Sequence, residues 1–238
     1  MRDTLHGCTK LQGTVLLSCT IKNTMREAPE NSAAQAANDQ HPDFELADTF
    51  FVLGELFLHE MHRFATQKHL DLVHLRSLAF LRQANKYSDT PASLTEYLGL
   101  TKGTVSTSIT LLETRGLLIK IPDDTDRRRV HLQLTESGRA LAAAFGAHMH
   151  WEQLASQLPA EQLPFINSAL KHIVQTSQQL NHRRTFGQCQ SCRHFQPRGD
   201  GGFCMLTQEP LTPAQTLQRC REHESPSTDT PHDQPLSP

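Results

Sequence analysis

With 238 residues, 37% of them apolar and 20% charged, the chain can bury one ordinary domain plus an appendage, and its composition excludes a fibre or a wholly disordered polymer. A net charge of −2 excludes a polycation, so any nucleic-acid contact has to come from a local basic surface. The longest apolar runs, TVLLSCTI and LADTFFVLGELFL, fall well short of the roughly 18 residues of a membrane span. The flanks of VLLSC at Cys19 are too polar for a secretory signal, so the expected location is the cytoplasm.

Residues 22–42 lack periodic apolar positions, and residues 1–42 together read as a flexible leader. From Asp43 the pattern changes. Phe44, Ala47, Phe50, Phe51, Gly54, Phe57, Leu58, Met61 and Phe64 recur at three- and four-residue steps, which predicts a long amphipathic helix. LVHLRSLAFLRQAN predicts another, with Leu72, Leu75, Leu78 and Ala79 in register. In TPASLTEYLGLTKGTVSTSITLLETRGLLIK the expected elements are two short helices joined by a glycine turn. Ser93 and Glu96 are spaced as a capping box and Gly99 as a helix end. Thr101 then caps a second helix whose core face is Val105, Ser108, Ile109 and Leu112.

Opposite that core face lie Gly103, Ser106, Thr107, Thr110 and Thr114, with Lys102 and Thr104 near the N-terminus. Short hydroxyl side chains are indifferent helix formers. On a helix that enters a major groove they can reach phosphates and base edges; the plainer alternative is a solvated face. The neighbouring residues favour the groove: a strand LLIKI, a turn PDDTDRRR and an alternating strand VHLQLT make a β-hairpin with Arg127, Arg128 and Arg129 at its tip.

SLTEYLGLTKGTVSTSITLLETRGLL (93–118) and PDDTDRRRVHLQLTESGRAL (122–141) resemble the MarR-type winged-helix transcriptional regulators, and the layout fits over residues 43–182. The resemblance implies a mainly α fold with a small β-wing (an α+β winged helix-turn-helix), an obligate homodimer and recognition of palindromic double-stranded DNA. It makes the chain a regulator, a repressor with a possible small-molecule effector, and not an enzyme. It also implies that Asp126 orients Arg128 for the minor groove. The expected DNA-binding residues are Lys102, Thr104, Ser106, Thr107, Thr110, Asp126, Arg127, Arg128 and Arg129. One departure stands out: Thr107 replaces an arginine that the family often carries.

GRALAAAFGAHMHWEQLASQLPAEQLPFINSALKHIVQTSQQLNHRR predicts two helices broken at Leu158-Pro159. The second, with Leu163, Ile166, Leu170, Ile173, Val174 and Leu180 in register, calls for a partner subunit to cover it. Residues 183–224 shift to Cys, Arg, Gly and Pro. Cys189-x2-Cys192-x11-Cys204-x15-Cys220 supplies four sulfurs, which by count suit Zn2+ and an iron–sulfur cluster equally. Disulfides fit a cytoplasmic DNA-binding protein poorly, and a thioredoxin-like CxxC lacks its βαβ setting. One knuckle with two separated cysteines departs from a zinc ribbon, and GFCMLTQEPLT with CREH is similar to small iron–sulfur modules of some enzyme accessory subunits. His194 and His223 are candidate second-sphere donors.

Few apolar residues (Phe186, Phe195, Phe203, Leu206, Leu211 and Leu217) serve this segment, so metal is expected to supply its stability within an otherwise irregular module. The expected effect of a cluster is to act through the helix that leads to Asn181, giving a redox- or metal-responsive regulator. The basic stretch from Lys171 to Arg198 has no acidic residue and is a further candidate for lying near DNA. The alternative reading is an iron–sulfur electron carrier or accessory protein with a vestigial winged helix, although no phosphate loop, nucleophile elbow or zinc-protease motif appears. Residues 225–238 read as a disordered tail.

Overall fold

The computed structural model describes residues 42–124 and 126–226; residues 1–41 of the expected leader (1–42) and 227–238 of the expected tail (225–238) lie outside them. The chain divides into two compact units, residues 1–50 and residues 51–238. In the first, the described residues are the opening turns of helix α1 (Pro42–Gln67), where Thr49 donates to the Glu45 carbonyl at 2.8 Å and Phe44 and Leu46 are exposed.

The second unit begins within α1. It continues through α2 (Leu72–Gln83), α3 (Pro91–Leu98), α4 (Lys102–Thr114), β1 (Leu118–Pro122), β2 (Val130–Leu134), α5 (Glu136–His148), α6 (Trp151–Ser156) and α7 (Leu163–Leu180). Beyond α7 lies a cysteine segment, with a 3-10 turn at Cys189–Ser191, strands β3 (Phe195–Arg198), β4 (Gly201–Cys204) and β5 (Glu209–Leu211), and a short helix α8 (Pro213–Thr216). Among the described residues no helix is long and apolar enough to cross a membrane.

The helix-turn-helix forms because its apolar residues close one core. Leu75 and Leu78 of α2, Leu94 and Leu98 of α3, and Val105, Ile109 and Leu112 of α4 are buried together with Leu118 and Leu132 of the wing. Each such side chain contributes about 1.5–3 kcal/mol by leaving water. Ser108 is buried as expected and donates to the Thr104 carbonyl at 2.9 Å. Thr101 caps α4 by accepting from the Thr104 N–H, and Gly99 closes α3 at φ 67°. The start of α3 differs from the spacing argument: Thr90 is its N-cap, with Pro91 in the first turn, and Ser93 is the third helical residue, whose N–H Thr90 accepts. Proline at the first helical position fixes φ for the helix and lacks only an N–H that would be unsatisfied there.

β1 and β2 pair antiparallel from Leu118↔Leu134 to Pro122↔Val130. Gly138 lies against the Leu117 backbone, where a Cβ would clash, which explains the glycine of LTESG. α5 packs on α2, and Phe64 of α1 meets the Phe145 ring at 5.6 Å. The expected break at Leu158-Pro159 separates α6 from α7, and a further one at His150, at φ 51°, separates α5 from α6. α7 buries none of its residues, and Phe165, Leu170, Val174 and Leu180 are exposed.

The cysteine segment, expected to be irregular, forms a three-stranded antiparallel sheet in the order β3-β4-β5. It rests on the winged helix. The Phe186 ring is buried edge-on against Phe80 of α2 and Tyr97 of α3, at 5.7 and 5.4 Å. The missing apolar contacts of this segment therefore come from its neighbour.

Candidate nucleic-acid interface and cysteine cavity

Lys102, Thr104, Ser106, Thr107 and Thr110 are all exposed on α4. Several of these hydroxyls are engaged with their own helix. Thr107 donates to the Gly103 carbonyl at 3.1 Å, and Thr104 pairs with Thr101 at 2.9 Å. With its proton committed, Thr107 presents acceptor lone pairs and a methyl outward, a surface suited to base-edge donors or to a thymine methyl.

At the wing tip Asp126, Arg127, Arg128 and Arg129 are exposed. The Asp126 carboxylate accepts the backbone N–H of Arg128 at 3.0 Å, so it fixes the main chain from which that arginine projects. The turn is closed by the Asp126 N–H donating to Asp123 Oδ1 at 2.8 Å and by the Asp123 N–H donating to the Arg129 carbonyl at 3.0 Å.

The wing is tied to the α2–α3 loop by residues that periodicity does not single out. His131 of β2 bridges two carboxylates, with Nδ1 2.6 Å from Asp89 Oδ1 and Nε2 3.0 Å from Asp123 Oδ2. The Leu132 N–H donates to the Asp89 carbonyl at 2.6 Å. Hydrogen bonds to Asp123 and Asp89 raise the His131 pKa above its ordinary 6.5. Burial raises the Asp89 pKa, outweighing the opposing pull of His131.

All four cysteines of the C-terminal segment line one cavity of about 60 Å³, and all four are free thiols. The cavity is shared: Asn85 and Tyr87 of the α2–α3 loop also line it. Asn85 Nδ2 lies 3.9 Å from Cys189 Sγ, and the Glu224 N–H donates to Cys192 Sγ at 3.5 Å. The neighbouring Cys189 and Cys220 act as a pair. Hydrogen bonding from Cys189 pulls Cys220 down to about 6, while the same bond together with burial pushes Cys189 up.

The two histidines separate. His223 is buried with both ring nitrogens on hydroxyls, Thr185 at 2.6 Å and Ser191 at 3.1 Å, and burial lowers its pKa. His194 lines the cavity with its Nε2 buried and without a hydrogen bond, the Glu224 carboxylate standing 3.7 Å away. Among the described residues no three His, Cys, Asp or Glu side chains converge closely enough to hold one metal ion.

The segment is held to the helix-turn-helix on both sides of Cys220. Arg219 donates its N–H to the Gln83 carbonyl at 2.7 Å and accepts the Asn85 N–H at 3.0 Å. Arg221 donates its N–H to Ser88 Oγ at 2.7 Å and clasps Glu96 of α3 through two guanidinium hydrogen bonds of 2.8 and 2.6 Å. Lys86 and Tyr87 both reach Glu209, at 2.8 and 2.7 Å. Of the basic stretch proposed to lie near DNA, Arg184 pairs with Glu96 and Glu222, and Arg193 with Glu224.

The MarR family model matches residues 70–129, which cover α2, the helix-turn-helix and the first half of the wing. No curated protein is similar in sequence to the chain. Among solved structures, FabT of Streptococcus pneumoniae, in complex with DNA, is 23% identical over 62% of this chain and 99% of its own, with a TM-score of 0.46. CouR of Rhodococcus jostii RHA1, bound to p-coumaroyl-CoA, is 18% identical over 56% of this chain and 94% of its own, with a TM-score of 0.47. A MepR mutant from a multidrug-resistant S. aureus clinical isolate is 23% identical over 56% of this chain and 97% of its own, with a TM-score of 0.50, a likeness that establishes the winged-helix fold.

Proposed function

We propose that the chain is a sequence-specific transcriptional regulator of the MarR type, a cytoplasmic homodimer that binds palindromic double-stranded DNA and represses, with a metal centre in its cysteine segment. The observation that carries this reading is the pairing of two exposed surfaces on one core: the hydroxyl face of α4 and the arginine-tipped wing. The match of residues 70–129 to the MarR family supports it. α7 supports the dimer, since an 18-residue helix with no buried residue leaves an apolar stripe that a second copy can cover.

The test is selection from a random-sequence duplex library, followed by fluorescence anisotropy on the selected duplex at several salt concentrations. The expected site is a palindrome with half-sites roughly 34–36 Å apart, one helical turn. Arg128→Ala should weaken binding to all sequences alike and lower the salt slope by about 1. Failure to enrich any sequence, or an unchanged slope in the variant, counts against the reading.

A further inference from the structure

The cysteine cavity belongs as much to the helix-turn-helix as to the C-terminal segment, and its size discriminates between ligands. A single zinc ion draws four sulfurs to about 2.3 Å from one centre, which leaves them within about 4 Å of one another with nothing between. Here all four cysteines line a common space of about 60 Å³. That space is several times the roughly 10–15 Å³ occupied by one water-sized atom. A space of this size admits a core of several atoms with a cysteine at each corner. The wall carries donors of the kind that solvate cluster sulfur: Asn85 Nδ2 beside Cys189, the Glu224 N–H on Cys192, and the unbonded Nε2 of His194.

From this cavity a continuous set of hydrogen bonds runs to the wing. Ser88 Oγ donates to Asn85 Oδ1 at 2.7 Å and accepts the N–H of Arg221, the neighbour of Cys220. The adjacent Asp89 holds His131 and the Leu132 N–H, His131 holds Asp123, and Asp123 holds the turn that presents Arg128. We propose that the cavity takes an iron–sulfur cluster of the 4Fe–4S type, and that loading it fixes the α2–α3 loop and the wing in the arrangement that binds DNA. The second half rests on the reading of the chain as a DNA-binding regulator.

The cysteine segment docks through Phe186 and buries few other side chains, so the cluster is what tightens that docking; unloaded, the segment loosens its hold on residues 83–89 and the wing loses support. This docked-or-loose equilibrium is the two-state element that cluster and DNA both bias. The route differs from the one expected through α7, because the contacts around Cys189 and Cys220 are made to the α2–α3 loop and α3.

The test uses the full chain under anaerobic conditions, with a synthetic thiolate-ligated 4Fe–4S cluster as probe. Transfer is a ligand exchange. Each cysteine forms an iron–sulfur bond as an exogenous thiolate leaves with the cysteine proton, and no electron changes hands. The expected result is equal uptake of iron and labile sulfide without zinc, lost in Cys204→Ser. DNA affinity, measured on the selected duplex, should be about 5- to 150-fold higher for loaded than for unloaded wild type. By reciprocity the duplex should slow removal of the cluster by a chelator. His131→Gln, far from the cavity, should load normally yet bind DNA equally with and without the cluster.

A protein that holds one zinc and takes up no cluster overturns the proposal. So does a cluster that loads while leaving DNA affinity unchanged, although DNA binding itself then stands. Absence of DNA binding in either state defeats the regulator reading, and with it the coupling, while iron and sulfide analysis still decides the cluster.

Discussion

His131 stands between Asp89 and Asp123, and both carboxylates favour its charged form, so the sign of its pH effect is fixed. Its folded pKa lies above 6.5. The stabilisation it gives is complete below that pH and is lost as pH rises through the raised value. Hydrogen bonds to charged groups contribute about 1.5–3 kcal/mol, and His131 is only partly exposed. His131→Gln should therefore cost about 1–2 kcal/mol near pH 6, with the gap to wild type narrowing well above neutrality. Urea denaturation across pH checks this; a gap independent of pH would show that the imidazole acts by packing alone. Neither this triad nor Asn85 is legible in the sequence. Nothing in the local pattern of SDT or RVHLQ announces that Asp89 and His131, 42 positions apart, share a hydrogen bond.

At the scale of elements, α7 carries the next expectation. Val174 is 55% exposed in a single copy, so a charge placed there costs the isolated fold little. At the centre of a dimer contact the same charge should remove about 2 kcal/mol or more of association free energy. Val174→Glu should shift sedimentation towards monomer while leaving the helical circular dichroism intact; an unchanged dimer would place the contact elsewhere. Elements of this kind were the most legible. The helix-turn-helix, the wing and the stripe on α7 arise from local periodicity, glycine turns and alternation. Boundaries were harder, because they depend on choices among equivalent local signals. Thr90 rather than Ser93 caps α3, since Pro91 favours the first helical turn, and His150 breaks the chain before Pro159 with no glycine or proline to mark it.

For the molecule as a whole, what the sequence concealed was where the cysteine segment goes. Its spacing led to the expectation of a four-sulfur site, but its docking depends on partners 104 to 136 residues apart, such as Asn85 with Cys189 and Gln83 with Arg219. Phe186 is the apolar anchor of that docking, and it adopts φ 45°, a left-handed backbone that a bulky residue rarely accepts. Such strain costs about 1–3 kcal/mol and persists because burial against Phe80 and Tyr97 outweighs it. Truncating a buried phenylalanine costs about 3–5 kcal/mol, and alanine keeps the Cβ that strains this backbone, so Phe186→Ala should lose about 3–5 kcal/mol. That loss should appear first at the docking surface, since most of the core cluster that Phe186 joins lies within the winged helix. The amides of Asn85, Arg219 and Arg221 donate across the contact, and in the variant their hydrogen exchange should quicken by about tenfold or more, while amides of α5 keep their rate. Equal acceleration throughout would mean that the segment and the winged helix unfold as one unit. No acceleration would mean that the backbone hydrogen bonds and the Arg221–Glu96 clasp hold the segment without its aromatic anchor.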